Sequence, residues 1–283
     1  MAVDIILAES AGFCFGVKRA VDETLKIQKK YNKRIYTLGP LIHNNDVVKH
    51  LEENNIFSIS LEEADKLAED EVIVIRSHGV SKEVIDRLTD KGLNVINATC
   101  PYVSNIQKKV NKYSGEGYNI VILGDKNHPE VVGINGWCDN KALITSDGTF
   151  ETKLPNKICV VSQTTERQDN WQNTISSVAK SSKEFLAFNT ICSATEVRQK
   201  SAYELSKQVD IMIVIGGKSS SNTTKLYQIC SENCENTFHI ENEKELDIDM
   251  LKELKHERIG LTAGASTPDW IIQNVTDTLK NNL

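Results

Sequence analysis

Short apolar runs rich in valine and isoleucine recur along the chain. Among them are Val72-Ile-Val-Ile75, Ile120-Val-Ile-Leu123, Ile158-Cys-Val-Val161 and Ile213-Val-Ile215. None alternates polar with apolar positions, which is the pattern of parallel strands covered on both faces. The pattern predicts strands at 34–38, 56–59, 72–76, 119–123, 142–145, 158–162, 210–215, 237–240 and 258–262, with further strand-like runs at 3–7, 93–97 and 185–188. Helices are predicted at about 17–30, 45–54, 61–69 and 81–91, and the later thirds repeat the order. Gly115-Glu-Gly117 and the serine-rich 176–182 region read as loop or helix-end punctuation. Alternating β and α elements predict an α/β architecture with mostly parallel sheets. Ligands of such sheets bind beyond the carboxyl ends of the strands.

The pattern is triplicated. Cys14, Cys100 and Cys192 each follow a strand-like run and precede a helix-like segment, at spacings of 86 and 92 residues. In each third a second strand ends in glycine, with a polar residue four positions on: Gly39 and His43, Gly124 and His128, Gly216 and Ser220. A third strand ends in a further polar loop carrying His78, Thr164 or Ser266. Repetition at a fixed period means that one structural unit is used three times. It overrides the length-based prior of about two domains. The expected units are 14–98, 99–190 and 191–283, with the strand in 1–13 docking on the third. One unit of this size is small to bury its own core, and docking three creates a shared central crevice.

Composition narrows the classes. A formal charge of −6 with no strongly basic stretch argues against a nucleic-acid surface. Seven scattered cysteines, an odd number, fit a reduced, cytoplasmic protein with metal-binding or reactive thiols rather than a disulfide scaffold. The N-terminus lacks a basic segment and its short apolar run is broken by Asp4 and Glu9, unlike a signal peptide. No apolar stretch approaches the ~18 residues of a membrane span.

Cys14, Cys100 and Cys192 lie at strand-to-helix turns, where the helix dipole favours an anion. Three thiolates converging on one centre point to zinc or an iron–sulfur cluster with an open fourth position. Cys138, Cys159, Cys230 and Cys234 read as small buried hydrophobes. Of six histidines, His43, His78 and His128 fall in the repeated loops; His50 and His256 read as surface residues in helical context, and His239 as structural. Glu130, two residues after His128, is a candidate proton donor. Ser220, Ser221, Asn222 and Ser266 carry small hydroxyl and amide groups where a helix begins, which suits a cap or a phosphate. Gly217-Lys218-Ser219 is not a P-loop, because position 212 is Met212 rather than glycine.

Several segments together resemble the IspH/LytB family of 4-hydroxy-3-methylbut-2-enyl diphosphate reductases. They are Gly12-Phe-Cys14-Phe-Gly-Val-Lys-Arg-Ala20, Gly39-Pro-Leu-Ile-His43-Asn44, Arg76-Ser-His78-Gly79, Ala98-Thr-Cys100-Pro101, His128-Pro-Glu130, Gln163-Thr-Thr165, Thr190-Ile-Cys192, Ser220-Ser-Asn222 and Thr262-Ala-Gly-Ala-Ser266. The resemblance implies three pseudo-symmetric α/β units around a central 4Fe–4S cluster held by Cys14, Cys100 and Cys192, with one iron open. It implies a diphosphate held by His43, His78, Ser220, Asn222 and Ser266, with Ser221 and His128 close by. Glu130 would deliver protons, His128 would work beside it, and Thr164 would hold the substrate hydroxyl. The implied reaction is reductive dehydroxylation to isopentenyl and dimethylallyl diphosphate, the last step of the methylerythritol phosphate route, fed by an external one-electron donor of the ferredoxin or flavodoxin type. The nearest rival is another three-cysteine iron–sulfur dehydratase, of the quinolinate-synthase kind, which needs no external reductant. A redox sensor or structural zinc protein would have little use for a polar, anion-binding ring.

Overall fold

The computed structural model of the chain describes residues 3–254 and 256–283. In chain order the elements are β1 (Asp4–Leu7), α1 (Phe15–Tyr31), β2 (Ile35–Leu38), α2 (Asn45–Glu53), β3 (Ile56–Ile59), α3 (Leu61–Ala64), β4 (Val72–Ile75) and α4 (Lys82–Asp90). There follow β5 (Asn94–Asn97), α5 (Pro101–Gly115), β6 (Asn119–Leu123), α6 (Pro129–Asn135), β7 (Leu143–Thr145), β8 (Lys157–Ser162), α7 (Gln168–Ser181) and β9 (Glu184–Ala187). The last are α8 (Ser193–Ser206), β10 (Ile211–Ile215), α9 (Ser221–Ser231), β11 (Asn236–Ile240), α10 (Ile248–Glu253), β12 (Arg258–Ala263) and α11 (Asp269–Asn282).

The strands make three four-stranded sheets, ordered β3–β2–β4–β5, β7–β6–β8–β9 and β11–β10–β12–β1. Every pairing is parallel, as the unalternated valine and isoleucine runs predict. The three orders are the same, and in each the fourth strand is the one that leads to a cysteine. In the third sheet that strand comes from the N-terminus, with Asp4 opposite Arg258 and Leu7 opposite Leu261.

Contacts divide the chain into two compact units. The first comprises Met1–Phe15, His43–Val47 and Ser193–Leu283. Its sheet is covered on both faces because successive strand residues point to opposite sides. Ile211, Ile213 and Ile215 pack with Ile271, Val275 and Leu279, which recur every four residues along one stripe of α11. Met212 and Val214 face Ala202 and Leu205 of α8 and Leu226 of α9. Burying each large apolar side chain contributes about 1.5–3 kcal/mol.

The second unit, Gly16–Ile42 and Val48–Cys192, holds the other two sheets. They meet at one carbonyl: Val80 O accepts from Gln107 Nε2 at 3.3 Å and from Trp137 Nε1 at 3.0 Å. Gly133 of α6 lies against this turn, and a Cβ there would sit 3.3 Å from Gly79 O.

Two local expectations differ from the structure, at 61–69 and at His256. The helix expected at 61–69 stops at Ala64, where Lys66 N–H turns back to Glu63 O and Leu67 N–H to Ala64 O. That tighter turn brings Leu67 onto the β4 core, so packing overrides helix propensity. The 176–182 region is the end of α7, which stops at Ser181, in keeping with the helix-end reading. His256 lies beyond the end of α10, with its Nδ1 2.7 Å from Leu254 O.

Candidate functional site

Each of the three repeated cysteines is held by its backbone in the same way. Cys14 N–H donates to Ala265 O at 3.2 Å, Cys100 N–H to Ser77 O at 2.9 Å, and Cys192 N–H to Thr164 O at 3.0 Å. Each acceptor lies two residues beyond the end of the strand paired with the cysteine's own: β12, β4 and β8. All three cysteines are partly exposed. Cys100 occupies the position just before α5, with Pro101 supplying the first helical position. Gly16 admits its sulfur, since a Cβ there would lie 2.5 Å from Cys100 Sγ. Cys14 follows a loop fixed by Arg198, whose Nη2 donates to Gly12 O at 2.8 Å.

The other four cysteines are buried. Burial pushes the thiols of Cys159 and Cys230 up to about 12 and raises that of Cys138. These are packing residues, as expected; Cys234 lies beyond the end of α9.

The turns beyond β6 and β8 form a polar cluster within the second unit. His128 caps α6, its Nδ1 accepting from Glu130 N–H at 3.1 Å. That bond puts the proton of a neutral imidazole on Nε2. Glu130 is buried, and both carboxyl oxygens are engaged by one residue: Thr164 N–H donates to Oε1 at 2.6 Å, and Thr164 Oγ pairs with Oε2 at 2.7 Å. The hydroxyl can donate to a carboxylate or accept from a carboxylic acid, so the pair holds in either protonation state. His78 meets the His128 ring edge-on, with centroids 5.4 Å apart.

In the first unit the corresponding turns carry neutral donors. Ser220 caps α9, accepting from Thr223 N–H at 3.4 Å. Ser266 Oγ lies 3.4 Å from Ser220 Oγ and 3.2 Å from His43 O. The chain approaches closely here: a Cβ on Gly217 would sit 2.6 Å from His43 O. Asn222 is buried with both amide atoms lacking a hydrogen-bond partner, as are the hydroxyls of Thr223 and Thr262. Buried polar atoms in folded proteins nearly always have partners, so these unpaired atoms are exceptional. Ser221 begins α9 beside them and is partly exposed.

Sequence reasoning named the cysteines, histidines, Glu130, Thr164 and the serine–asparagine turn. It gave no role to Arg198, Thr223 or Thr262. Thr262 falls inside a quoted motif, but nothing in a linear pattern says that its hydroxyl is buried and unpaired.

A family model described as LytB protein matches residues 5–280. A protein from Clostridium perfringens (strain 13 / Type A), named 4-hydroxy-3-methylbut-2-enyl diphosphate reductase, is 61% identical over 280 residues, covering 99% of each chain. A solved structure of (E)-4-hydroxy-3-methyl-but-2-enyl diphosphate reductase, described as the terminal enzyme of the non-mevalonate pathway, is 42% identical, with a TM-score of 0.71 and 99% of both chains covered. The structure of the E-1-hydroxy-2-methyl-but-2-enyl-4-diphosphate reductase from Plasmodium falciparum is 29% identical, with a TM-score of 0.88, covering 99% of this chain and 89% of that one. With a match that runs nearly end to end, the chain belongs to the LytB protein family.

Proposed function

We propose that the chain reductively removes the hydroxyl of 4-hydroxy-3-methylbut-2-enyl diphosphate, giving isopentenyl and dimethylallyl diphosphate as the last step of the non-mevalonate route. The alcohol takes up two electrons and two protons and yields the alkene and water. The observation that carries this reading is the identical backbone anchoring of three cysteines at three equivalent strand ends.

That donor set fits a 4Fe–4S cluster held by Cys14, Cys100 and Cys192. Three partly exposed thiols recur at one position of the repeat, while the remaining cysteines are sequestered in the cores. When bound, such a cluster supplies electrons singly and offers an open iron as Lewis acid for the hydroxyl. An external one-electron carrier of the ferredoxin or flavodoxin type restores them.

The chain's own residues hold the substrate and move its protons. Ser220, Ser221, Asn222 and Ser266 bind the diphosphate, with His43 and His78 adding imidazole donors and His128 its Nε2–H. The support lies in the unpaired Asn222 amide and in the first turn of α9, where backbone N–H groups and the helix dipole favour phosphate. Glu130 delivers a proton so that hydroxide leaves as water, and Thr164 relays it while orienting the substrate hydroxyl. His128 fixes Glu130 by capping its helix. No helix among the described residues is long and apolar enough to cross a membrane.

The test is an anaerobic assay with a strong artificial reductant and the diphosphate substrate. The brown protein turns over only with reductant. Cys14→Ser, Cys100→Ser and Cys192→Ser each lose colour and activity, while Cys159→Ser and Cys230→Ser keep both. Turnover without reductant would favour a dehydratase, and a bleached Cys230→Ser would overturn the ligand set.

A further inference from the structure

Outside the residues given catalytic or binding roles, the second unit contains a cavity of about 300 Å³ between the β2–β4 strand ends and α6. Its walls are apolar, formed by Leu61, Val80, Val84, Pro129 and Val132 among others. Arg76 also lines it. The guanidinium has no ion pair or hydrogen bond among the described residues, and its Nε is buried without a partner. It packs against Gly39, whose φ of +70° and missing Cβ make the room: a Cβ there would lie 2.6 Å from Arg76 Nη1. Burial pulls the guanidinium below its ordinary value, with no carboxylate to offset that. A partly buried, unopposed cation is costly, and an anion bound beside it recovers the loss.

Ser60, Ser81 and Asn140 add further donors to the lining. Ser60 Oγ accepts from Glu63 N–H, and Ser81 Oγ accepts from Val84 N–H, each as a helix cap. With the oxygen engaged as acceptor, each hydroxyl proton remains available to donate. Glu63 is turned back onto Ser60 N–H, and neither it nor Glu62 lines the cavity. A guanidinium fork with two hydroxyls matches the several acceptor oxygens of a phosphate better than the two of a carboxylate. The apolar walls match a short hydrocarbon tail.

We infer that this cavity is a second ligand site, separate from the catalytic one, that takes a phosphate ester with a short hydrocarbon tail and the headgroup on Arg76. The site does not depend on the catalytic reading, and its test uses binding alone. Isopentenyl monophosphate is titrated into the intact protein, followed by calorimetry and by amide hydrogen exchange. Binding slows exchange in the first turns of α3 and α4. Arg76→Gln weakens it at least about tenfold, the loss expected for a charge-assisted contact. Val132→Trp, placed on an exposed position to plug the cavity, abolishes it, and it serves if Arg76→Gln does not fold. Asn222→Ala leaves this protection unchanged. Isovalerate and inorganic phosphate each bind at least about tenfold more weakly, lacking headgroup or tail. Equal affinity for isovalerate would overturn the headgroup assignment. Protection confined to the turn after β10, or unaltered affinity in both Arg76→Gln and Val132→Trp, would overturn the site.

Discussion

Beyond β6 the chain passes Gly124 and reaches His128; beyond β10 it passes Gly216 and reaches Ser220; and both polar residues cap the helix that follows. Each glycine N–H is tied at 2.8 Å to the neighbouring strand, Gly124 to Thr145 O and Gly216 to Ile240 O. Within this shared backbone plan the side chains diverge. The β6 turn buries a carboxyl fully engaged by Thr164. The β10 turn has no acid, and the amide of Asn222 is buried without a partner. In the proposed function the β6 turn keeps a proton in place and the β10 turn receives the charge of the diphosphate. The two turns share one strand-to-helix plan and differ chiefly in their side chains.

The sharpest way to break this comparison is Glu130→Gln. The amide oxygen can still accept from Thr164 N–H and its NH₂ can donate to Thr164 Oγ, so the fold survives while the transferable proton is lost. Turnover falls about 100-fold or more, within the usual range for general acid catalysis. Diphosphate binding is retained. Anaerobic turnover alongside calorimetric titration checks this, and near-normal turnover would remove the proton role from the β6 turn.

Asn222→Ala probes the other side. Losing a hydrogen bond to a charged group costs about 1.5–3 kcal/mol, so inorganic diphosphate binds roughly 10–150-fold more weakly. Maximal turnover changes little. A fall in turnover with unchanged affinity would make the two turns alike.

Backbone strain gives a smaller contrast. Gly216 has a φ of +143°, and a Cβ there would lie 2.5 Å from Thr267 Oγ1; Gly124 has no positive φ, but a Cβ there would lie 2.8 Å from Gln163 Cβ and from Val131 Cγ2. Both alanine variants are crowded, and Gly216→Ala adds a backbone strain of about 1–3 kcal/mol that urea unfolding reads as a further loss. Equal losses would mean that the turns are strained alike.

The smallest effect concerns what lies behind both turns, where they agree. Cys159 in β8 and Cys230 in α9 both have thiols pushed up to about 12. An acid raised in the folded state stabilises it below the ordinary thiol value of 9.0, and that contribution is lost as pH rises towards 12. Cys159→Ala and Cys230→Ala should each show a shallower alkaline decline of unfolding midpoint than the parent chain. Alkylation at pH 8 should spare both thiols until the protein unfolds.

The strands were legible because buried parallel strands need uninterrupted apolar runs, and Val72–Ile75 and Ile211–Ile215 have no polar residue to disguise them. The triplication was legible because cysteine is rare enough for its spacing to stand out. The candidate residues could be named for the same reason, as chemistry-bearing types at repeated offsets. Pairing was not legible. That Glu130 spends both oxygens on Thr164, 34 residues away, depends on how β6 and β8 lie side by side. Arg76 looked like one more strand-end residue until the structure showed it with no counter-charge. The over-long helix at 61–69 failed because local propensity cannot see the core that claims Leu67.

The amides of Cys14, Cys100 and Cys192 all donate to main-chain carbonyls. A mutation that changes the side chain of Ala265, Ser77 or Thr164 leaves the carbonyl in place and the cysteine amide still tied. The loops of the three repeats can therefore carry histidine, serine or threonine while each cysteine amide keeps its carbonyl partner. Side-chain variety in the repeat carries little penalty at the backbone that presents the thiols.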